Sequence, residues 1–465
     1  MEDDISVRLA RNAIGMSQRG LAERACVPLS DLMLAERGLA SLSTRRMEAV
    51  AHALGVDPTS IGDFAPIAGE GYVTAIQALS NGLTQRREAP NASLRPVMDL
   101  FCGVGGFSTG FESTGEFEVI AGIDLLGDRL ETFCSNHSAA NGYGGDIRNF
   151  DVSSLMNECP TPFVIIGGPP CQGFSSIRPF RNIEWSDPRN NLGEEFCRVI
   201  ASIRPEWLVF ENVVGLLNHR SGKTFEALMG AFEALGYRVS ARVLNAAYHG
   251  LPQRRERLLV VGSLKGKPFE WPTATHRHDK RSMVGRSNLL ITPDEGLFDN
   301  TSPALTLMDA IDDLPPVQSG GNASEYVAKP RNRYQEVLRF QAEVLTLHEA
   351  TMHSDEMLNI IKHAGSSIAA LPPGLVTSGF STSYSRLAAD EPSNTITVNF
   401  VHPASNRCIH PFQQRALTPR EGARLQSFPD TFVFKGNRTQ VVKQIGNAVP
   451  PLLGKLIAEA ILDAD

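Results

Sequence analysis

Between residues 97 and 261 the chain alternates short apolar runs with amphipathic stretches, and this rhythm restricts its fold more than any other feature. Val97-Met98-Asp99-Leu100-Phe101, Val119-Ile120-Ala121-Gly122-Ile123, Phe163-Val164-Ile165-Ile166, Trp207-Leu208-Val209-Phe210 and Leu258-Leu259-Val260-Val261 have strand length and little polar interruption. Such runs suit strands buried on both faces. Stretches with one apolar face, at residues 196–203 and 225–235, separate some of them. The pattern predicts an α/β domain in which helices cover both sides of a mostly parallel sheet.

The rhythm stops near residue 273. From there to about residue 435, polar segments bearing proline and glycine dominate, which predicts a second, smaller and irregular domain over 273–435. The run Gly446-Asn447-Ala448-Val449-Pro450-Pro451-Leu452 then reads as a turn into a last helix with proline at its start. Residues 436–465 are expected to complete the first domain, 94–272.

Ahead of them, residues 1–60 read as an all-helical module and 61–93 as a linker. Ser17 is placed to cap a helix running to Ala25, and after Ser43 the positions Met47, Val50, Ala51 and Leu54 fall on one helix face. With Gln18, Leu21-Ala22, Glu36-Arg37-Gly38 and Ala53-Leu54-Gly55-Val56, the module resembles the helix-turn-helix of phage repressors. That resemblance implies promoter DNA as a partner and a recognition helix over residues 29–37. Seven basic residues against eight acidic ones in this module leave docking or dimerisation as the alternative.

Composition narrows the setting. No apolar run approaches the roughly 18 residues of a membrane span, and Met1-Glu2-Asp3-Asp4 lacks the basic and apolar segments of a secretory signal. Cysteines stand at 26, 102, 134, 159, 171, 197 and 408, odd in number and without a CxxC pair. That argues against a disulfide framework or a structural zinc site and for a reducing, cytoplasmic setting. The net charge of −7 disfavours a uniformly basic nucleic-acid surface. Local clusters remain, at His276-Arg277-His278-Asp279-Lys280-Arg281 and Lys329-Pro330-Arg331-Asn332-Arg333, and these are able to follow phosphates.

Chemistry-bearing residues gather at the C-terminal ends of the predicted strands, where open α/β sheets place their ligands. Gly167-Gly168-Pro169-Pro170-Cys171-Gln172-Gly173 puts a thiol on a stiffened corner. Phe101-Cys102-Gly103-Val104-Gly105-Gly106 makes a glycine-rich turn into a helix, without the last glycine of a dinucleotide fingerprint or the lysine of a P-loop. Asp124 ends the next strand, placed for ribose hydroxyls, and Gly145-Asp146-Ile147 offers a corner for an adenine. Together they point to a nucleoside cofactor without a pyrophosphate. Glu211, after the strand at 207–210, is positioned to protonate or hydrogen-bond a ring. Arg254, Arg255 and Arg257 call for an anionic or carbonyl-rich partner.

In this order, and followed by residues 386–397, Leu417-Thr418-Pro419-Arg420-Glu421, Leu425-Gln426-Ser427-Phe428-Pro429 and Gln444-Ile445-Gly446-Asn447, these motifs resemble the DNA (cytosine-5) methyltransferases of bacterial modification systems. The likeness spans about residues 97–460. It implies a Rossmann-like methyltransferase domain, S-adenosyl-L-methionine as cofactor, duplex DNA as substrate and a restriction endonuclease as functional partner. By the same resemblance Cys171 is the nucleophile toward carbon 6 of a flipped cytosine. Glu211 holds ring nitrogen 3 and the amine, Arg257 binds the ring carbonyl, and Arg255 positions that site and the backbone. Phe101, Gly103, Gly105, Asp124, Asp146, Ile147, Asn447 and Val449 are implied around the cofactor. Gln172 and Arg189, in a loop expected to close on DNA, are implied against the duplex. Residues 273–385 take the place of the target-recognition region. The rival readings are an RNA cytosine methyltransferase and a DNA-binding regulator. Val213-Val214-Gly215-Leu216-Leu217-Asn218 lacks the Cys-Phe-Thr motif that tRNA-methylating relatives carry after the glutamate.

Overall fold

The apolar runs become the middle of one seven-stranded sheet in the computed structural model, which describes residues 7, 11, 14–27, 29, 32, 44–55, 91, 93–170, 192–278 and 301–465. Its strands are β1 (Arg95–Leu100), β2 (Phe117–Asp124), β3 (Asn141–Gly144), β4 (Val164–Gly167), β5 (Trp207–Asn212), β6 (Arg238–Asn245) and, after the short β7 (Gln253–Arg254), β8 (Glu256–Ser263). They lie in the order β3-β2-β1-β4-β5-β8-β6. The first five are parallel, whereas β8 runs antiparallel to both its neighbours. Two small pairs lie outside the sheet: His276–Arg277 (β9) with Ser302–Pro303 (β10), and β7 with Ser393–Asn394 (β11).

Side chains alternate across a strand, and here both faces are buried. Met98, Ile165 and Leu208 pack on one side with Phe196, Phe232 and Leu155, which come from α6 (Leu192–Ile203), α7 (Lys223–Ala234) and α5 (Val152–Glu158). Val97, Ile166 and Val209 pack on the other with Phe107, Phe133 and Leu453, from α3 (Gly106–Glu112), α4 (Gly127–Asn136) and α13 (Pro451–Ala464). The doubly covered, mostly parallel sheet expected from the sequence is present.

The second lobe is built from short elements: α8 (Leu307–Ile311), α9 (Arg333–Leu338), α10 (Asp355–His363) and α11 (Pro419–Leu425). Fully buried ion pairs stitch it together. Arg424 contacts both Asp313 and Asp430, and Arg415 reaches Glu421 at 2.7 Å. Glu421 also accepts from the Thr418 backbone in a capping box at the head of α11. The flanking helix α12 (Arg438–Asn447) packs into this lobe through Val441, Val442 and Ile445. The same stretch also bonds the sheet domain: Lys435 N donates to Thr132 Oγ1 at 2.9 Å and Gln444 Nε2 to Asp128 O at 3.1 Å, both on α4, so residues 433–447 bridge the two lobes. Residues 438–464 are apolar enough by composition to cross a membrane. They are two helices meeting at Ala448–Pro450, each with a face buried in a core.

In the N-terminal module, Ser17 caps α1 (Gln18–Ala25) by accepting from Gly20 N, and α2 (Thr44–Leu54) buries Met47, Val50, Ala51 and Leu54 as expected. The recognition helix expected over 29–37 lies, apart from Leu29 and Leu32, outside the described residues.

Candidate active site

Parallel pairing sets Gly167 at the end of β4 opposite Phe210 of β5. The next residues are therefore neighbours. A Cβ on Gly168 would lie 2.8 Å from Glu211 Oε2, and Asn212 Nδ2 donates to Pro169 O at 3.3 Å. The corner is thus fastened to the end of β5 at Gly168 and Pro169. Cys171, Gln172 and Arg189 lie outside the described residues. Arg257 enters from the antiparallel strand β8, and its Nε meets Glu211 Oε1 at 2.8 Å with only 13% and 10% of the two side chains exposed. Burial pulls the Arg257 pKa down, and the adjoining Glu211 carboxylate opposes that pull. A buried carboxylate and guanidinium side by side offer an acceptor for an amine and donors for a carbonyl.

Arg255 does something else. It is 1% exposed, and its guanidinium donates to Ala448 O at 2.7 Å and Ile396 O at 3.2 Å. Both bonds tie it to backbone, which is compatible with the positioning role expected for it. Gln253, two residues before it, is fully buried and works beside it. It accepts from Ile396 N at 2.8 Å and donates to Leu425 O and Gln426 Oε1, both at 2.9 Å. These two side chains pin the second lobe to the strand that carries Arg257.

At the glycine turn, Phe101 and Gly103 both have left-handed backbone, with φ of +61° and +54°. A Cβ on Gly103 would meet nothing within 4 Å, so this residue faces open space. Asp124 Oδ2 accepts from Gly103 N at 3.0 Å and its Oδ1 from Leu126 N at 2.9 Å. Burial raises the Asp124 pKa, and Arg129 and these backbone donors oppose the rise. Gly105 differs from Gly103. Its missing side chain is replaced by the protein's own imidazole, because a Cβ there would sit 2.3 Å from His137 Nε2. Sequence reasoning assigns both glycines to a ligand, and the same glycine pattern serves either purpose.

A Cβ on Gly106 would lie 2.3 Å from Val449 O, so Val449 closes directly against the start of α3. Asn447 is exposed at the end of α12. Asp146 caps the 3-10 turn Ile147–Asn149 and pairs with Arg148, which lowers its pKa. Ile147 is buried in the core. Gly106→Ala is expected to push the backbones apart at a close-packed joint, costing about 1–3 kcal/mol. Denaturant melts that match wild type would contradict this packing.

Asp99 lies beneath the same turn, 2% exposed, accepting from Ser108 Oγ at 2.5 Å. Burial pushes its pKa from 3.8 up to about 8, against the Ser108 hydrogen bond. An acid whose pKa rises on folding binds its proton more tightly in the native state. Its contribution is therefore complete below the unfolded value and is lost as pH climbs through the folded one. Unfolding free energy measured from pH 4 to pH 8 is expected to fall less steeply in Asp99→Asn than in wild type; equal slopes would exclude Asp99 as the source.

Residues 96–463 match the family model described as C-5 cytosine-specific DNA methylase. Type II methyltransferase M1.HphI of Haemophilus parahaemolyticus is 34% identical over 371 residues, covering 78% of this chain and 86% of that protein. Type II methyltransferase M.DdeI of Desulfomicrobium norvegicum is 32% identical over 391 residues, covering 78% and 88%. Among solved structures, the Entamoeba histolytica methyltransferase EhMeth covers 80% of this chain and 98% of its own at 14% identity, with a TM-score of 0.52. A DNA modification methyltransferase encoded within an Escherichia coli prophage superimposes with a TM-score of 0.60 at 22% identity, covering 80% and 99%. At those identities the likeness is one of fold.

Proposed function

The chain belongs to the C-5 cytosine-specific DNA methylase family, and from that premise we propose that it works through a cysteine adduct on a cytosine turned out of the duplex. It is a DNA (cytosine-5)-methyltransferase, and S-adenosylmethionine is its methyl donor. The observation that carries the finer reading is the buried Glu211–Arg257 pair set against the Gly168-Pro169 corner. That pair complements the amine and carbonyl edge of a cytosine, and Cys171 follows the same corner directly in the sequence. A stacked base hides carbon 6, so the base has to leave the duplex for sulfur to reach it.

Cys171 adds to carbon 6 as thiolate. Glu211 accepts from the exocyclic amine and supplies the proton at nitrogen 3, while Arg257 donates to the ring carbonyl; both relieve the charge that builds as the C–S bond forms. Carbon 5 thereby becomes nucleophilic, and the cofactor supplies an electrophilic methyl group to it. Loss of the carbon-5 proton to solvent, return of the nitrogen-3 proton to Glu211 and expulsion of the thiolate would restore the enzyme and release 5-methylcytosine and the demethylated cofactor.

The cofactor fits the corner formed by the ends of β1, β2 and β3. Gly103 faces open space there, Asp124 has a carboxylate beside the turn, and Val449 abuts the head of α3. Phe101, Gly105, Asp146, Ile147 and Asn447 are proposed to line the rest, and Gln172 and Arg189 to meet the DNA. The N-terminal module is proposed to bind promoter DNA, and a restriction endonuclease to be the functional partner. A footprint of the full chain on its upstream DNA that shows no protection beyond random sequence would remove the promoter role.

Bisulfite sequencing of DNA from cells expressing the protein is expected to show protected cytosines at one recurrent sequence. Methyl transfer to tRNA in preference to duplex DNA would overturn the reading.

A further inference from the structure

His137 takes no part in the chemistry above, yet it is the most completely buried polar ring beside the glycine turn. It follows α4, its side chain is 0% exposed, and its ring lies against Phe133 with centroids 4.6 Å apart. Nδ1 is 2.7 Å from Glu112 Oε2 and Nε2 is 3.2 Å from Gly105 O. A carboxylate and a carbonyl are both acceptors. The Gly105 carbonyl, being an acceptor only, assigns the hydrogen to Nε2, which donates to it.

The Gly105 carbonyl also accepts from Thr109 N at 2.7 Å and Thr109 Oγ1 at 2.8 Å. Its peptide is therefore fixed at the first turn of α3 from two sides. The other end of the turn is fixed by Asp124, which accepts from Gly103 N at 3.0 Å. Between the two anchors the backbone stays left-handed at Gly103 and at Gly105, with φ of +54° and +85°. An imidazole wedged under Gly105 and braced by Glu112 prevents that peptide from rotating into the space where a ligand would lie.

We propose that His137, braced by Glu112, is a positioning residue for the S-adenosylmethionine site, holding the Gly103-to-Gly105 turn in its cofactor-accepting shape. This rests on the reading that the turn binds the cofactor. His137 touches neither cofactor nor cytosine, so its loss acts on cofactor affinity and spares the methyl-transfer step. His137→Phe keeps an aromatic ring against Phe133 and removes both polar contacts. It is expected to weaken S-adenosylmethionine binding about tenfold, the value of one lost hydrogen bond to a preorganised site. His137→Gln keeps a donor and is expected to recover most of that loss. Glu112→Ala leaves the imidazole but removes its brace, and is expected to cost about threefold.

Titration calorimetry with S-adenosylmethionine, alongside kcat at saturating cofactor and the Kd for duplex DNA, reads this out. The expected result is a raised cofactor Kd and KM, with kcat and DNA affinity within about twofold of wild type. His137→Phe binding the cofactor as wild type does, even with a lowered melting temperature, would overturn the inference and leave the cofactor reading standing. If Gly103→Ala, whose added methyl faces open space, leaves wild-type cofactor binding intact, the reading of the turn as the cofactor site falls instead.

Discussion

Cys171→Ser is expected to abolish methyl transfer to DNA, with cofactor binding retained. A thiol of ordinary pKa near 8.5 is only roughly 3% thiolate at pH 7, and a serine hydroxyl ionises far less still. Removing the nucleophile from an enzyme that works through a covalent intermediate costs on the order of 10⁶-fold in kcat. The proposed cofactor corner follows β1, β2 and β3; Cys171 follows the neighbouring strand β4, and serine in place of cysteine exchanges a single side-chain atom there. The substitution should therefore leave the S-adenosylmethionine Kd within about twofold, a small fraction of the 1.4 kcal/mol that a tenfold change represents. Tritiated-methyl incorporation and calorimetry on the same preparation separate the two effects. Turnover within a hundredfold of wild type would show that sulfur is not the attacking atom.

Glu211→Gln is expected to produce the second largest loss, about 10²–10⁴-fold in kcat/KM, because the amide keeps the shape but supplies no proton to the ring. Glu211→Ala should differ in kind. The Arg257 guanidinium, 2.8 Å from Glu211 Oε1 and 13% exposed, would lose its counter-ion within a mostly buried site. Breaking a buried pair in this way costs about 3–5 kcal/mol, so the alanine variant should also show a lower denaturation midpoint. Kinetics on duplex DNA and urea melts of both variants test this. A glutamine variant within tenfold of wild type would make Glu211 a structural partner of Arg257 and nothing more.

The sequence was legible where burial on both faces wrote a continuous apolar run: β2, β5 and β8 contain the segments expected, and β1 and β4 match theirs except for Phe101 and Phe163, which lie just outside them. The edge strands were not. Asn141-Gly142-Tyr143-Gly144 has no strand composition and is a strand because β2 pairs with it. The other edge strand, β6, is only half-buried over much of its length. The direction of β8 was equally hidden, since it depends on β6 having come first through the connection from β5. At the site, Glu211 and Arg257 were legible because each ends or begins a recognisable strand. The partners of Gln253 and Arg255 lie between 141 and 193 residues away along the chain, and no local pattern announces them. Gly105 is the sharpest case. A glycine whose Cβ direction is open, as at Gly103, and one whose Cβ direction holds His137 look the same in one dimension.

The most direct measurement uses duplex DNA carrying 5-fluorocytosine at the methylated position. Fluorine cannot leave as a proton does, so the reaction stalls once sulfur has joined carbon 6 and the methyl group has joined carbon 5. Peptide mapping by mass spectrometry is expected to find the methylated fluorocytosine bound to the peptide containing Cys171, and only when S-adenosylmethionine is present. A protein that methylates normal duplex DNA at carbon 5 yet yields no adduct at Cys171 would contradict the covalent mechanism.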